Sequence, residues 1–242
     1  YVALFPHDVD GYSMSALRKS SEGDYAGADA DMQTALRQAD NKAEAHAEYS
    51  RVMYQKLVYS DDSLYTAWTF DRALDESEKA YKIDPQPAYR HRIGQILFSK
   101  REYVKACDVF VELSKSAMPN SEVFFEIAQC KSQLGSPREE ILAQLDSAVA
   151  HCRKPYSQAD APYILSRGQF RDAMNNYRGA LADYNVYDTL MVGRASADFY
   201  YTRYKCEVNL RQFQPALNDI AHAAYIAGHD MQPVYLAEMA SL

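Results

Sequence analysis

No stretch of 18 consecutive apolar residues occurs in this 242-residue chain, so it encodes no membrane-spanning helix. Glycine and proline are scarce, at nine each, which excludes collagen-like and low-complexity classes. A hydrophobic fraction of 48% excludes a disordered chain. Cysteine is limited to Cys107, Cys130, Cys152 and Cys206, with no Cys-x-x-Cys pair. A chain of this length buries enough core not to need disulfide staples. Cys107, Cys130 and Cys206 fall inside expected helices, so the default expectation is buried thiols.

Clustered cations are missing too. The net charge is −7, and all of it lies before residue 85, where 16 acids face 9 bases. A phosphate backbone needs grouped Lys and Arg, so nucleic acid is not an expected partner, and the acidic balance reads as a solvated face. The chain opens on Tyr1 rather than Met. That fits a leader removed beforehand and leaves cytoplasmic, periplasmic and surface-attached locations open.

Catalytic signatures are absent as well. None of His7, His46, His91, His151, His222 and His229 forms His-Glu-x-x-His. His151-Cys152 has no second pair at zinc spacing, so no metal is expected. No phosphate-binding glycine loop and no Gly-x-Ser-x-Gly appears. Glu139-Glu140 opens an expected helix, where acids favour the macrodipole, and reads as structural. The expectation is a chain without enzymatic activity, without a cofactor and without a metal.

What is present is a repeated pattern. Between Pro87 and Pro119, Gly94 stands mid-helix, Tyr103 opens a second helix, and Ala106, Phe110 and Leu113 follow at helical spacing. This stretch resembles the tetratricopeptide repeat, a helix-turn-helix unit of about 34 residues. Small residues let two helix axes approach to about 8–10 Å while aromatics fill the flanks. With Ala106 as ruler, equivalent positions are expected at Ala28, Ala73, Ile141, Ala173 and Ala216, at intervals of 45, 33, 35, 32 and 43. Two intervals exceed the period by about ten, which predicts insertions near 57–68 and 184–194.

The repeats are placed at 9–40, 43–85, 87–119, 121–153, 155–184 and 197–228, with a terminal helix over 231–242 that either covers the last apolar face or is the start of a repeat cut short. The first insertion, with Tyr59, Leu64, Tyr65 and the single Trp68, reads as lengthened helix ends, with Asp61, Asp62 or Ser63 as a cap. The second reads as leaving the helical stack. In the fifth pair, Gly168-Gln169-Phe170 marks the turn, and Pro162 predicts a short or kinked first helix. Gly228 reads as a helix C′ residue. Arg101 and Arg211 stand where the family prefers Gly at the turn.

The fold class implied by the resemblance is all-α: an α-α superhelix of about six helix pairs plus a terminal helix, forming one helical-repeat domain. The style of the repeats resembles bacterial members. In such proteins the first helices line a concave groove. Carried over position by position, the groove residues are Arg51, Tyr54 and Gln55, then His91, Gln95 and Phe98, then Phe125 and Gln129, then Tyr201, Lys205 and Asn209. An aromatic and amide lining with cations suits a peptide or partner helix, and the same positions equally suit packing between repeats. The expected function is a non-enzymatic scaffold for a protein or peptide partner. The alternative is a carrier or sensor of a small molecule in an aromatic pocket near 184–194.

One family activity is not expected. Members that grip the carboxylate tail of chaperones carry Lys and Asn on the first repeat and Lys and Arg on the third, whereas here those places hold Ser13, Leu17 and Ala88, and only Arg92 matches. A fluorescently labelled chaperone-tail peptide is therefore expected to give no polarisation change at micromolar protein, and binding in that range would overturn the assignment.

Overall fold

A computed structural model describes residues 7–59, 65–116, 120–228 and 231–240. Among them are thirteen α-helices and one 3-10 turn. They divide into two compact units. The first holds α1 (Val9–Ser21), α2 (Tyr25–Gln38), α3 (Lys42–Tyr59), α4 (Phe70–Ile83), α5 (Pro87–Ser99), α6 (Tyr103–Ser114) and residues 129–135. The second holds residues 120–128, α8 (Arg138–Ala150), α9 (Ala161–Ala173), α10 (Tyr177–Met191), α11 (Ala197–Asn209), α12 (Phe213–Ile226) and α13 (Gln232–Ala240). Helix α7 (Ser121–Gln133) contributes to both. The all-α fold expected from the sequence is the fold observed.

Within a pair, the second helix turns back by one recurring device. Gly23, Arg101, Asn175 and Arg211 all take left-handed φ, at 84°, 63°, 59° and 60°. The next residue's N–H then reaches the carbonyl five back: Asp24 to Lys19, Glu102 to Leu97, Asn176 to Arg171 and Gln212 to Glu207, at 2.8–2.9 Å. This is the Schellman closure, which satisfies carbonyls that the helix end leaves open. Asp24 and Asn176 also accept the N–H of Gly27 and Gly179, capping the following helix.

Axes come together where small residues face rings. A Cβ on Gly94 of α5 would lie 2.5 Å from the Phe110 ring of α6, and one on Gly168 of α9 would lie 2.9 Å from Tyr184 of α10. Ala28, Ala73, Ala106 and Ala216 are fully buried at this seam. One core is built around Tyr49, Met32 and Met53 in the first unit and another around Tyr184, Ile220 and Tyr235 in the second.

Several expectations are corrected. Gly168 is not at a turn: it lies inside α9, an uninterrupted 13-residue helix that carries Pro162 in its first turn, where a proline is tolerated. The turn is at Asn175, so Ala180, fully buried, takes the ruler position, and Ala173 is exposed at the end of α9. The intervals about it become 39 and 36. The second insertion does not leave the helix, because Tyr184 through Met191 continue α10 with Tyr184 buried. Gly228 does stand at C′, after the Ala227 cap of α12, but Ala227 is extended and Gly228 takes no left-handed φ.

The first insertion is a lengthened α3, 18 residues long, followed by non-helical residues 65–69. Trp68 is buried there, its indole N–H donating to Asp29 at 2.7 Å. Tyr49 donates to the same carboxylate and Arg72 lies 3.2 Å away, so one buried acid ties α2, α3 and α4 together. Thr69 caps α4. The suggested caps Asp61, Asp62 and Ser63, with Leu64, lie outside the described residues, as do Pro119, His229 and Leu242. None of the four cysteines is in a disulfide: Cys130, Cys152 and Cys206 are buried, and Cys107 is half-buried.

Gly168→Ala adds a methyl against a buried ring, and overpacking outweighs the better helix propensity of alanine. It is expected to cost roughly 1–3 kcal/mol, read as a lower melting temperature by circular dichroism. With Tyr184→Leu in the background the alanine becomes neutral; an equal loss in both backgrounds would show that the ring is not the obstacle.

Candidate partner-binding surface

In the first unit α1 packs on α3 and α3 on α5, so the first helices of three successive pairs are neighbours. Across them runs a connected set of polar groups. Ser13 of α1 donates to Glu48 of α3 at 2.5 Å. Arg51, one turn along, donates from Nε to both Glu48 oxygens at 3.0 and 2.9 Å and from Nη2 to Ser13 at 2.8 Å. Arg92 of α5 lies over the Tyr54 ring at 5.1 Å and donates to Gln95 at 2.8 Å. The Tyr54 hydroxyl is 3.2 Å from Ser99. Between α3 and α5 lies a cavity of about 220 Å³, lined by Glu48, Arg51, Ser77, Tyr89 and Arg92 with Ala47 and Ala88.

Charge is graded along this face. Burial pushes the Glu48 carboxyl up, but hydrogen bonds from Arg51 and Ser13 and the charges of Arg51 and Arg92 outweigh it and hold it below its ordinary value. Glu44, one turn earlier, is raised by burial and then by the charges of Asp10, Glu48 and Asp8. An acidic end thus adjoins a guanidinium-rich middle.

The groove residues read from the sequence have different surroundings. Arg51, Tyr54 and Gln95 belong to the network just described. Gln55 lines a second cavity, of about 550 Å³, with Leu17, Tyr25, Lys56 and Tyr59. His91 and Phe98 turn toward their own pair, against Phe110 at 5.7 Å and Tyr103 at 5.2 Å. Gln129 is exposed. In the second unit Phe125 meets Tyr163 at 5.3 Å beside Ala128, Ile141 and Leu145. Tyr201 meets Tyr235 of α13 at 5.2 Å and donates to Glu238 at 3.4 Å, so the terminal helix covers it. Lys205 lies over the Tyr201 ring at 4.7 Å, and Asn209 donates to the Lys205 carbonyl at 2.8 Å.

Ser13, Glu48, Tyr89 and Arg92 were not among the residues assigned to the groove from sequence. A sequence signal existed only for Glu48 and Arg51, three apart on one helix face. Also missed was an acid three residues after the buried small residue in four pairs. Asp31 meets Lys19 at 2.8 Å, Glu76 meets His46 at 2.5 Å, Asp183 meets Arg167 at 2.5 Å and Asp219 meets Arg203 at 2.6 Å.

Because the Glu48 carboxyl is held below its ordinary 4.5, its contribution to stability is present above that value and is lost as pH falls through the folded pKa. Glu48→Gln is expected to lower stability by about 1 kcal/mol at pH 7 and to match the wild type at the acid limit. Urea denaturation at both pH values measures it, and a difference that does not shrink in acid would sink the assignment.

No protein-family model and no curated protein sequence matches this chain. Solved structures do. PilF of Pseudomonas aeruginosa shares 16% identity over 95% of this chain and 97% of its own, with a TM-score of 0.69. PilW, a type IV pilus biogenesis factor, shares 17% over 93% and 97%, with a TM-score of 0.65. YrrB, a TPR protein with an unusual peptide-binding site, shares 17% over 86% and 97%, with a TM-score of 0.60. At such identity the likeness is one of fold. With its helix pairs, recurring turns and small-residue seams, the chain has the tetratricopeptide-repeat fold.

Proposed function

We propose that this chain is a non-enzymatic scaffold that holds a protein or peptide partner on α1, α3 and α5 of its first unit. The observation that carries the reading is the connected polar set of Ser13, Glu48, Arg51 and Arg92 beside the 220 Å³ cavity. Guanidinium groups preset by Glu48 and by the Tyr54 ring lose little freedom when they meet a partner's carbonyls or carboxylates. Tyr54 and Tyr89 supply apolar area next to them. YrrB, of the same fold, is described as having a peptide-binding site. The small-molecule alternative depended on an insertion at 184–194, and most of that segment is helix α10 with Tyr184 in the core.

The test is selection from a random peptide display library against the full chain. Recovered peptides are then titrated against wild type, Arg51→Ala, Arg92→Ala and the double variant, with circular dichroism confirming the fold of each. Peptides that bind the wild type at micromolar concentration and the double variant at least about tenfold more weakly, roughly 1.4 kcal/mol, support the reading. Equal affinity for all four proteins would exclude this face as the binding surface.

A further inference from the structure

In the fifth and sixth helix pairs the same places carry charge, but the signs differ. In the fifth, Arg167 and Arg171 of α9 both pair with Asp183 of α10, at 2.5 and 3.0 Å. Both also reach Asp146 of α8, at 3.3 and 2.7 Å. Two cations meet two carboxylates. Thirty-six residues on, Arg203 and Asp219 occupy the places of Arg167 and Asp183, and Glu207 occupies that of Arg171. The register is fixed by the turn, since the carbonyls of Arg171 and Glu207 accept the same closing N–H, from Asn176 and Gln212. The second cation of the fifth pair is therefore replaced by an acid.

Arg203 is fully engaged elsewhere. It donates to both oxygens of Asp219 at 2.6 and 2.8 Å, and to Asp188 of α10 at 2.9 Å. Glu207 is only 5% exposed, and its Oε2 has no hydrogen-bond partner among the described residues. The charges that act on Glu207 are Asp219 of α12, of like sign, and Arg203 of α11, whose guanidinium is already paired; the neighbouring Cys206 thiol on α11 is neutral. Farther along α12, His222 packs against the Tyr200 ring at 4.4 Å. The other charged groups of the packed helices are acids with partners of their own: Asp188 of α10 accepts from Arg203 and Tyr200, and Glu238 of α13 accepts from Tyr201 and Tyr204. A buried carboxylate without a partner is costly, and a proton removes both its charge and one empty acceptor.

We infer that Glu207 binds a proton in the folded chain, which makes the α11–α12 pair a pH-responsive element, tightly packed when Glu207 is neutral and looser when it is ionised. Burial first, and the charge of Asp219 second, push its carboxyl up to about 7 against the pull of Arg203. The folded value lies above the unfolded 4.5, so stability is fully present below 4.5 and falls as pH rises to about 7, beyond which it is level. This element is independent of the partner face on the first unit.

The test follows the Glu207 side-chain carboxyl by carbon-13 NMR from pH 4 to 9 in the full chain, assigned by its loss in Glu207→Gln. Amide exchange of α11 and α12 peptides is measured alongside, as the ratio of opening constants, wild type over variant. The expected midpoint lies near neutrality, and the ratio climbs by up to about tenfold per pH unit from pH 5 to 7 before levelling. If Glu207→Gln fails to fold, Glu207→Leu, the residue type at the equivalent Leu97 of the third pair, is the reference. A midpoint below pH 5, or a ratio that stays constant with pH, would overturn the inference.

Discussion

Everything else in the two units depends on how closely the helices of a pair approach. At Gly94 and Gly168 the facing ring sits where a β-carbon would be, and at Ala28, Ala73, Ala106, Ala180 and Ala216 a single methyl is all the seam accommodates. Packing at that distance is all-or-none, because a close-packed interior has no slack to absorb an added carbon. It also fixes which faces are left over. Once the small residues of a first helix face its partner, residues about a third of a turn away face the preceding pair, and the rest face outward. The placement of Ser13, Glu48, Arg51 and Arg92 on one surface follows from that constraint.

The turns show why this geometry tolerates so much sequence change. Four of them close by the same pair of hydrogen bonds, yet glycine supplies the left-handed residue only at Gly23, while Arg101, Asn175 and Arg211 supply it elsewhere. A non-glycine residue there costs on the order of 1 kcal/mol, which the helix contacts on either side override. A marker that stability does not demand drifts. The seam, which stability does demand, stays small in every pair where its placement is described, except for Ile141 in the fourth.

That difference explains what was legible in the sequence. The helix pairs, their number and the small-residue ruler could be read because each is enforced locally, residue by residue. The fifth pair was mis-registered because Gly168-Gln169-Phe170 looks like a turn. The glycine is there for the Tyr184 ring, 16 residues on, just as Gly94 is there for Phe110. A glycine needed for space and one needed for φ are indistinguishable without knowing what faces it. The polar surface was less legible still. Arg51 and Tyr54 could be picked out by position, but their partners Ser13 and Arg92 are 38 residues away in each direction for the serine and the arginine's ring contact. Tyr201, at an equivalent position, lies beneath α13, whose Tyr235 ring packs on it.

The charges inside the pairs extend the argument from packing to regulation. An acid three residues past the seam recurs in four pairs, each time beside a basic side chain from the first helix, so an acid–base contact at this place is part of the repeat's construction rather than decoration. Replacing such a pair with apolar groups is tolerated, as Leu97 and Val109 of the third pair illustrate by standing at these places, buried. Reversing one sign is not equivalent to either. With Glu207 at the place of Arg171, the sixth pair puts an acid there, and its buried Oε2 has no hydrogen-bond partner among the described residues. Of the three solutions this chain uses at one repeat position, only the acid makes packing depend on something outside the protein, the proton concentration.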